Sequence, residues 1–132
     1  MGERVAVLGA SAKRERYANR AQRLLTAHGH EVLPVNPALP VVEGVSTVSL
    51  DALEGPVDTV TVYLGADRML PLVDAVAALR PRRVVLNPGA DDPRVVAALE
   101  GAGQHVQLAC TLVLLDSGTW ESTAPEATGQ RA

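Results

Sequence analysis

Residues 4–25 read Arg-Val-Ala-Val-Leu-Gly-Ala-Ser-Ala-Lys-Arg-Glu-Arg-Tyr-Ala-Asn-Arg-Ala-Gln-Arg-Leu-Leu, and this stretch decides the fold. Val5 to Leu8 is a short apolar run, rich enough in Val for a buried strand. The run breaks at Gly9-Ala10-Ser11. Ala18, Ala21, Leu24 and Leu25 then recur at helical spacing, and His28-Gly29 supplies a C-terminal stop. Strand, small-residue turn and helix in that order open an α/β sheet. The turn then falls at the carboxyl edge of the sheet, where nucleotide phosphates meet a helix N-terminus. Two readings fit these residues. In one the turn binds phosphate: Ala10 and Ser11 are small enough for close backbone approach, and Ser11 adds a hydroxyl. In the other it is an ordinary tight turn followed by a solvated basic helix face, because only Gly9 of a Gly-x-Gly-x-x-Gly pattern is present.

Further along, Glu31 to Asn36 predicts a second strand, near an edge or irregular because Pro34 removes a ladder donor. Residues 38–50 read as irregular, and Asp51 to Leu53 as one helical turn. Val57 to Leu64 predicts the third strand, with Val60 and Val62 on one face and Thr59, Thr61 and Tyr63 on the other. Asp67 is expected to cap a helix running to about Leu79, with Pro71 tolerated in its first turn. Arg83 to Asn87 is strand four. Asp92-Pro93 starts a helix with Asp as cap and Pro at the first helical position, closed by Gly101 and Gly103. His105 to Leu108 is strand five, and Thr111 to Leu115 starts a last helix or an extended cover. From Asp116 the chain is polar and reads as a disordered tail. Alternating strands and helices predict a three-layer Rossmann-like α/β domain over residues 1–115. It has a five-stranded parallel sheet of order 3-2-1-4-5, and residues 116–132 form the tail.

Composition narrows the function classes. With 132 residues, 47% hydrophobic and 20% charged, the chain fits one globular domain. Its net charge is −3, yet six of twelve Lys and Arg fall within residues 1–23. That concentration suits a small phosphorylated ligand. Aromatics are 2% with no Phe, too few for the stacking platforms of a nucleic-acid binder. The single cysteine rules out an internal disulfide framework, and no apolar run approaches the roughly 20 residues of a membrane span. No signal-peptide pattern opens the chain, so a cytoplasmic location with no membrane partner is expected.

The carboxyl ends of the other strands carry polar punctuation at Asn36-Pro37, Tyr63-Leu64-Gly65 and Asn87-Pro88-Gly89. Each alone is turn chemistry. Together they converge on the Gly9-Ala10-Ser11 turn, because all carboxyl ends of a parallel sheet share one edge. Cys110 follows strand five and reads either as a small buried hydrophobe or as a nucleophile, with no histidine identifiable as its base. Tyr17 reads either as core or as a lid. Arg80, Arg82 and Arg83 read as a solvated loop cluster, and no His, Cys or Asp spacing suggests a metal site.

Taken as a set and in order, Val-Ala-Val-Leu-Gly-Ala-Ser-Ala-Lys-Arg-Glu-Arg-Tyr-Ala-Asn-Arg, Gly-His-Glu-Val-Leu-Pro-Val-Asn-Pro, Val-Asp-Thr-Val-Thr-Val-Tyr, Asn-Pro-Gly and Ala-Cys-Thr-Leu-Val-Leu resemble the small bacterial CoA-binding proteins. These are stand-alone relatives of the CoA-binding domain in the succinyl-CoA synthetase α subunit. The resemblance covers residues 4–115. It implies a Rossmann-like domain that binds coenzyme A or an acyl-CoA at the strand carboxyl ends. It implies that Gly9, Ala10, Ser11, Lys13, Arg16, Tyr17 and Asn19 form the ligand loop. Asn36, Pro37, Tyr63, Asn87 and Gly89 would line the rest of the pocket. From its place just after strand five, at the same edge, Cys110 is expected either near the pocket, where it could form a mixed disulfide with a CoA thiol, or as a buried inert thiol. Nothing after Leu115 supplies the phosphorylated histidine of the synthetase subunit. The expected function is therefore a non-catalytic CoA-binding module (a carrier, sensor or regulator). The alternative is an enzyme or enzyme subunit acting on a nucleotide or acyl-CoA. A dinucleotide redox protein is disfavoured, since strand two ends in Asn36 rather than an acidic residue.

Overall fold

Alternating apolar runs and amphipathic segments assemble around a five-stranded, all-parallel sheet in a computed structural model that describes residues 2–125. The elements run β1 (Arg4–Leu8), α1 (Tyr17–Ala27), β2 (Glu31–Val35), β3 (Val41–Val42), β4 (Val45–Ser46), β5 (Thr59–Val62), α2 (Ala66–Met69), α3 (Val73–Ala78), β6 (Arg83–Leu86), α4 (Pro93–Gly101), β7 (Val106–Leu108) and α5 (Thr111–Asp116). Single 3-10 turns occupy Leu50–Ala52 and Leu70–Leu72. The strand alternation sorts side chains to two faces. Ala6, Leu8, Val60, Val62, Val84 and Leu86 pack under α3 and α4, while Val5, Val7 and Val32 pack under α1 and α5. Both faces are covered, as parallel sheets require.

The sheet order is β2-β1-β5-β6-β7. Counting its five strands in sequence, this is 2-1-3-4-5 and not the expected 3-2-1-4-5: the third strand lies beside β1, not outside β2. Pro34 gives the reason. Glu31 donates its N–H to Glu3 O and Val35 O accepts from Gly9 N, so these positions of β2 face β1. Alternation then turns Val32 and Pro34 outward. A proline there has no N–H to offer a sixth neighbour, so β2 can only be an edge. Its carbonyl instead accepts from Val48 N at 3.0 Å, which covers the edge with the segment after β4.

Four local expectations change. Residues 38–50 contain the short antiparallel hairpin β3–β4. The helix after β5 is capped by Gly65, not Asp67, which sits in the first turn, and Pro71 breaks it into a 3-10 turn before α3. Arg82 and Arg83 are not a solvated cluster. Arg83 is fully buried at the start of β6, stacked on Trp120 with 4.2 Å from guanidinium to ring centroid. Its Nη1 donates to Gln107 Oε1 (2.8 Å) and its Nε to Thr59 Oγ1 (3.2 Å), and Arg82 pairs with Glu3 at 3.0 Å. Burial pulls the Arg83 guanidinium down to about 10, against the pull of Glu3, so it stays cationic at neutral pH. Trp120 also sets the fate of the expected tail. Residues 117–125 fold back so that Trp120 is 3% exposed, its ring 5.8 Å from that of His30, which buries a large apolar side chain. Residues 126–132 lie outside the described residues.

Asp92 behaves as read: its carboxylate accepts from Arg94 N at 2.8 Å, with Pro93 at the first helical position.

Candidate ligand-binding site

The chain reverses between β1 and α1 because Gly9 takes φ +84°, a conformation costly for any residue with a Cβ. A Cβ there would also lie 2.9 Å from Leu64 Cδ2 and 3.1 Å from Tyr63 O, so the β1 turn and the end of β5 touch through a glycine-sized gap. Gly9 N and Ala10 N both donate to Val35 O (3.2 and 3.3 Å), and Asn36 Nδ2 donates to Ala10 O at 2.7 Å. The carboxyl ends of β1, β2 and β5 are thereby tied together.

Above them opens a cavity of about 720 Å³, in the range of small-molecule sites. Its walls include Gly9, Ala10, Ser11, Arg16, Tyr17, Asn36, Pro37 and Tyr63, eight of the thirteen residues singled out from sequence. Tyr17 is 63% exposed, which removes its core reading; the Arg20 guanidinium lies 5.4 Å from its ring centroid. Leu64, Arg68 and Leu72 complete the wall beyond β5. Arg68 and Leu72 carry no site signal in the sequence, because the turn that follows β5 reaches this edge only once β5 lies beside β1. A neighbouring cavity of about 450 Å³ shares Tyr63, Leu64 and Arg68 and reaches the Asp92–Arg94 pair.

The start of α1 faces the main cavity through Arg16, Tyr17 and Ala18. Arg16 is its N-cap and makes no side-chain cap bond, so the first-turn amides are left for another acceptor. The loop before it turns on Ser11 Oγ, which accepts from Lys13 N at 3.1 Å.

Five expected site residues do not line this cavity. Lys13 is exposed on the loop. Asn19 is buried beneath it, with Nδ2 donating to Ser11 O at 2.8 Å. Asn87 is consumed as a strut: Nδ2 donates to Thr61 Oγ1 (2.7 Å) and Val62 O (2.9 Å), and Oδ1 accepts from Thr111 N (2.8 Å). Gly89 takes φ +95° in the turn after β6. Cys110 is a half-buried free thiol at the N-cap of α5. Nearby, the Tyr63 hydroxyl is buried with no partner in hydrogen-bonding geometry, beside Thr61 and Thr111, which are bonded to each other at 2.8 Å. Burial pushes this phenol up to about 12, with a smaller opposing effect from Thr111. Among the described residues no cluster of His, Cys, Asp and Glu is arranged to hold a metal, and no helix is long and apolar enough to cross a membrane.

A family model described as a CoA binding domain matches residues 3–116. The chain belongs to this family. The CoA-binding domain is 33% identical to a solved structure from Thermus thermophilus, with TM-score 0.78 over 89% of this chain and 90% of that one. It is 32% identical over 68 residues to the uncharacterized protein YneT of Bacillus subtilis; the match spans 51% of this chain and about half the length of that relative (50%). A dinucleotide-forming acetyl-coenzyme A synthetase from Ca. Korarchaeum cryptofilum shares the fold at 20% identity, with TM-score 0.65 over 79% of this chain but 25% of that protein.

Proposed function

We propose that this domain binds coenzyme A over the carboxyl ends of β1, β2 and β5, and that it serves as a carrier, sensor or regulatory module and not as a catalyst. The observation that carries the reading is the start of α1, which opens uncapped on the 720 Å³ cavity beside Arg16. The residues suit the ligand. The glycine turn lets backbone come close, and the helix end favours a diphosphate. Ser11 and the first amides of α1 hold that diphosphate, Lys13 or Arg16 takes the remaining phosphate, and Arg68 adds a cation to the same cavity. Leu64 and Leu72 offer apolar surface to the pantetheine arm. Bound coenzyme A supplies a thiol that can carry an acyl group; the chain itself holds phosphates and shields the arm. Cys110 lines neither cavity described above, so the reading gives it no nucleophilic role. The likeness to the acetyl-coenzyme A synthetase covers a quarter of that protein, and its reaction is not carried over. The reading is of a cytoplasmic module, with which a chain of one cysteine and no internal disulfide is compatible.

Calorimetry on charge variants tests the assignment. A lost charge-assisted hydrogen bond is worth roughly 1.5–3 kcal/mol, so Arg16→Ala should weaken coenzyme A binding about tenfold or more. Affinity should also fall with salt. Unchanged affinity in both Lys13→Ala and Arg16→Ala would overturn the phosphate assignment.

A further inference from the structure

Glu43 sits at the tip of the β3–β4 hairpin with φ 48°, in the left-handed region that a residue with a Cβ enters only under strain. Its carboxylate leaves the hairpin and reaches the ligand loop. Oε2 accepts from Asn19 Nδ2 at 3.1 Å and lies 3.4 Å from Arg14 Nε. Asn19 is fully buried, and the same Nδ2 donates to Ser11 O at 2.8 Å. Its Oδ1 accepts from Arg23 Nε (2.8 Å), and Arg23 Nη2 donates to Arg14 O (2.8 Å). The contacts close a ring from Glu43 through Asn19, Arg23 and Arg14 back to Glu43. It grips the loop at two carbonyls, Ser11 and Arg14, on either side of Ala12 and Lys13. That loop carries Lys13, Arg14 and Arg16 against the single carboxylate of Glu15, and the excess positive charge disfavours its compact shape.

We propose that Glu43 is a positioning residue: a latch from the hairpin that holds the cationic loop in its ligand-ready shape and so couples hairpin order to ligand affinity. Glu43 lines neither cavity described above and acts through Asn19 and Arg14. Its Arg14 arm is exposed and screened. The arm to buried Asn19 carries the latch and needs an acceptor more than a charge. The consequence for affinity rests on the coenzyme A reading; the latch itself does not.

Simple charge bookkeeping and the latch predict opposite signs. Deleting a carboxylate beside a cationic loop should tighten binding of an anion if charge alone mattered. The latch predicts that Glu43→Ala weakens coenzyme A binding by about three- to tenfold, the scale of one ordinary net hydrogen bond, because the effect reaches the ligand only through the loop. Glu43→Gln, which keeps the acceptor, should stay within about twofold of wild type, for the same reason. Glu43→Gly removes the carboxylate but relieves the backbone strain, so it should loosen the loop while raising the melting temperature. Loop order is read without ligand by trypsin, with mass spectrometry of cuts after Lys13, Arg14 and Arg16 in the full chain. Faster cleavage in Glu43→Ala and Glu43→Gly, with wild-type rates in Glu43→Gln, supports the latch. Equal rates in all four proteins, or tighter coenzyme A binding by Glu43→Ala, overturns it. If the wild type binds no coenzyme A, the functional reading fails while the trypsin arm still decides the latch.

Discussion

Alanine at Gly9 should cost more than alanine at Gly103, and the difference measures how tightly β1 and β5 meet under the cavity. The two glycines have nearly the same φ, 84° and 83°. Each substitution therefore carries a similar left-handed penalty of about 1–2 kcal/mol. Their surroundings differ. Nothing lies within 4 Å of a Cβ at Gly103, whereas at Gly9 the Cβ meets Leu64 Cδ2 at 2.9 Å and Tyr63 O at 3.1 Å. Leu64 can rotate, but the Tyr63 backbone is pinned by its N–H to Leu8 O at 2.9 Å. Overpacking of this kind costs about 1–3 kcal/mol. Urea unfolding should then show Gly103→Ala less stable by about 1–2 kcal/mol and Gly9→Ala by about 2–5 kcal/mol, with m unchanged. Costs equal to within about 0.5 kcal/mol, the usual range for changes that touch nothing, would refute the argument.

Other consequences follow from the buried polar groups. The Tyr63 phenol stands at about 12 in the folded chain against 10.0 for an ordinary tyrosine. Its contribution is intact below pH 10 and is lost as pH rises toward 12, by roughly 2–3 kcal/mol in all. Stability measured from pH 9 to 12 should fall less steeply in Tyr63→Phe than in wild type; identical slopes would contradict this. Trp120→Ala should destabilise by about 3–5 kcal/mol, yet leave coenzyme A affinity within about twofold, because Trp120 packs at the amino edge of the sheet; a large affinity loss would show that the two edges are coupled. Cys110 lines neither cavity described above, so intact-mass measurement after incubation with oxidised coenzyme A should show no more adduct than Cys110→Ser; an adduct specific to Cys110 would place its sulfur at the ligand.

The sheet was legible because its strands are Val-rich runs that switch to helical spacing after each turn, and β1, the Gly9 turn and α1 are local to one stretch. Strand order was not, although Pro34 held the answer: it marks β2 as an edge, which the expected order placed inside the sheet. Arg83 and Trp120 escaped notice for a different reason. An arginine within an Arg-Pro-Arg-Arg run and a lone tryptophan in a polar tail each read as solvated, and their stacking across 37 positions of sequence helps bury both. Asn19 and Asn87 look like ligand groups from sequence, since an amide at a strand end or on a ligand loop can serve either purpose. Their hydrogen bonds go to protein backbone and side chains instead. Arg68 was missed because the turn after β5 reaches the cavity only once β5 lies beside β1.

Calorimetry of the wild-type chain with coenzyme A, dephospho-coenzyme A and NAD in one buffer tests the central claim most directly. Coenzyme A should bind tightest, dephospho-coenzyme A more weakly for want of one phosphate contact, and NAD weakest of the three. Absence of binding heat with coenzyme A across a range of temperatures, or NAD binding as tightly as coenzyme A, would contradict the account.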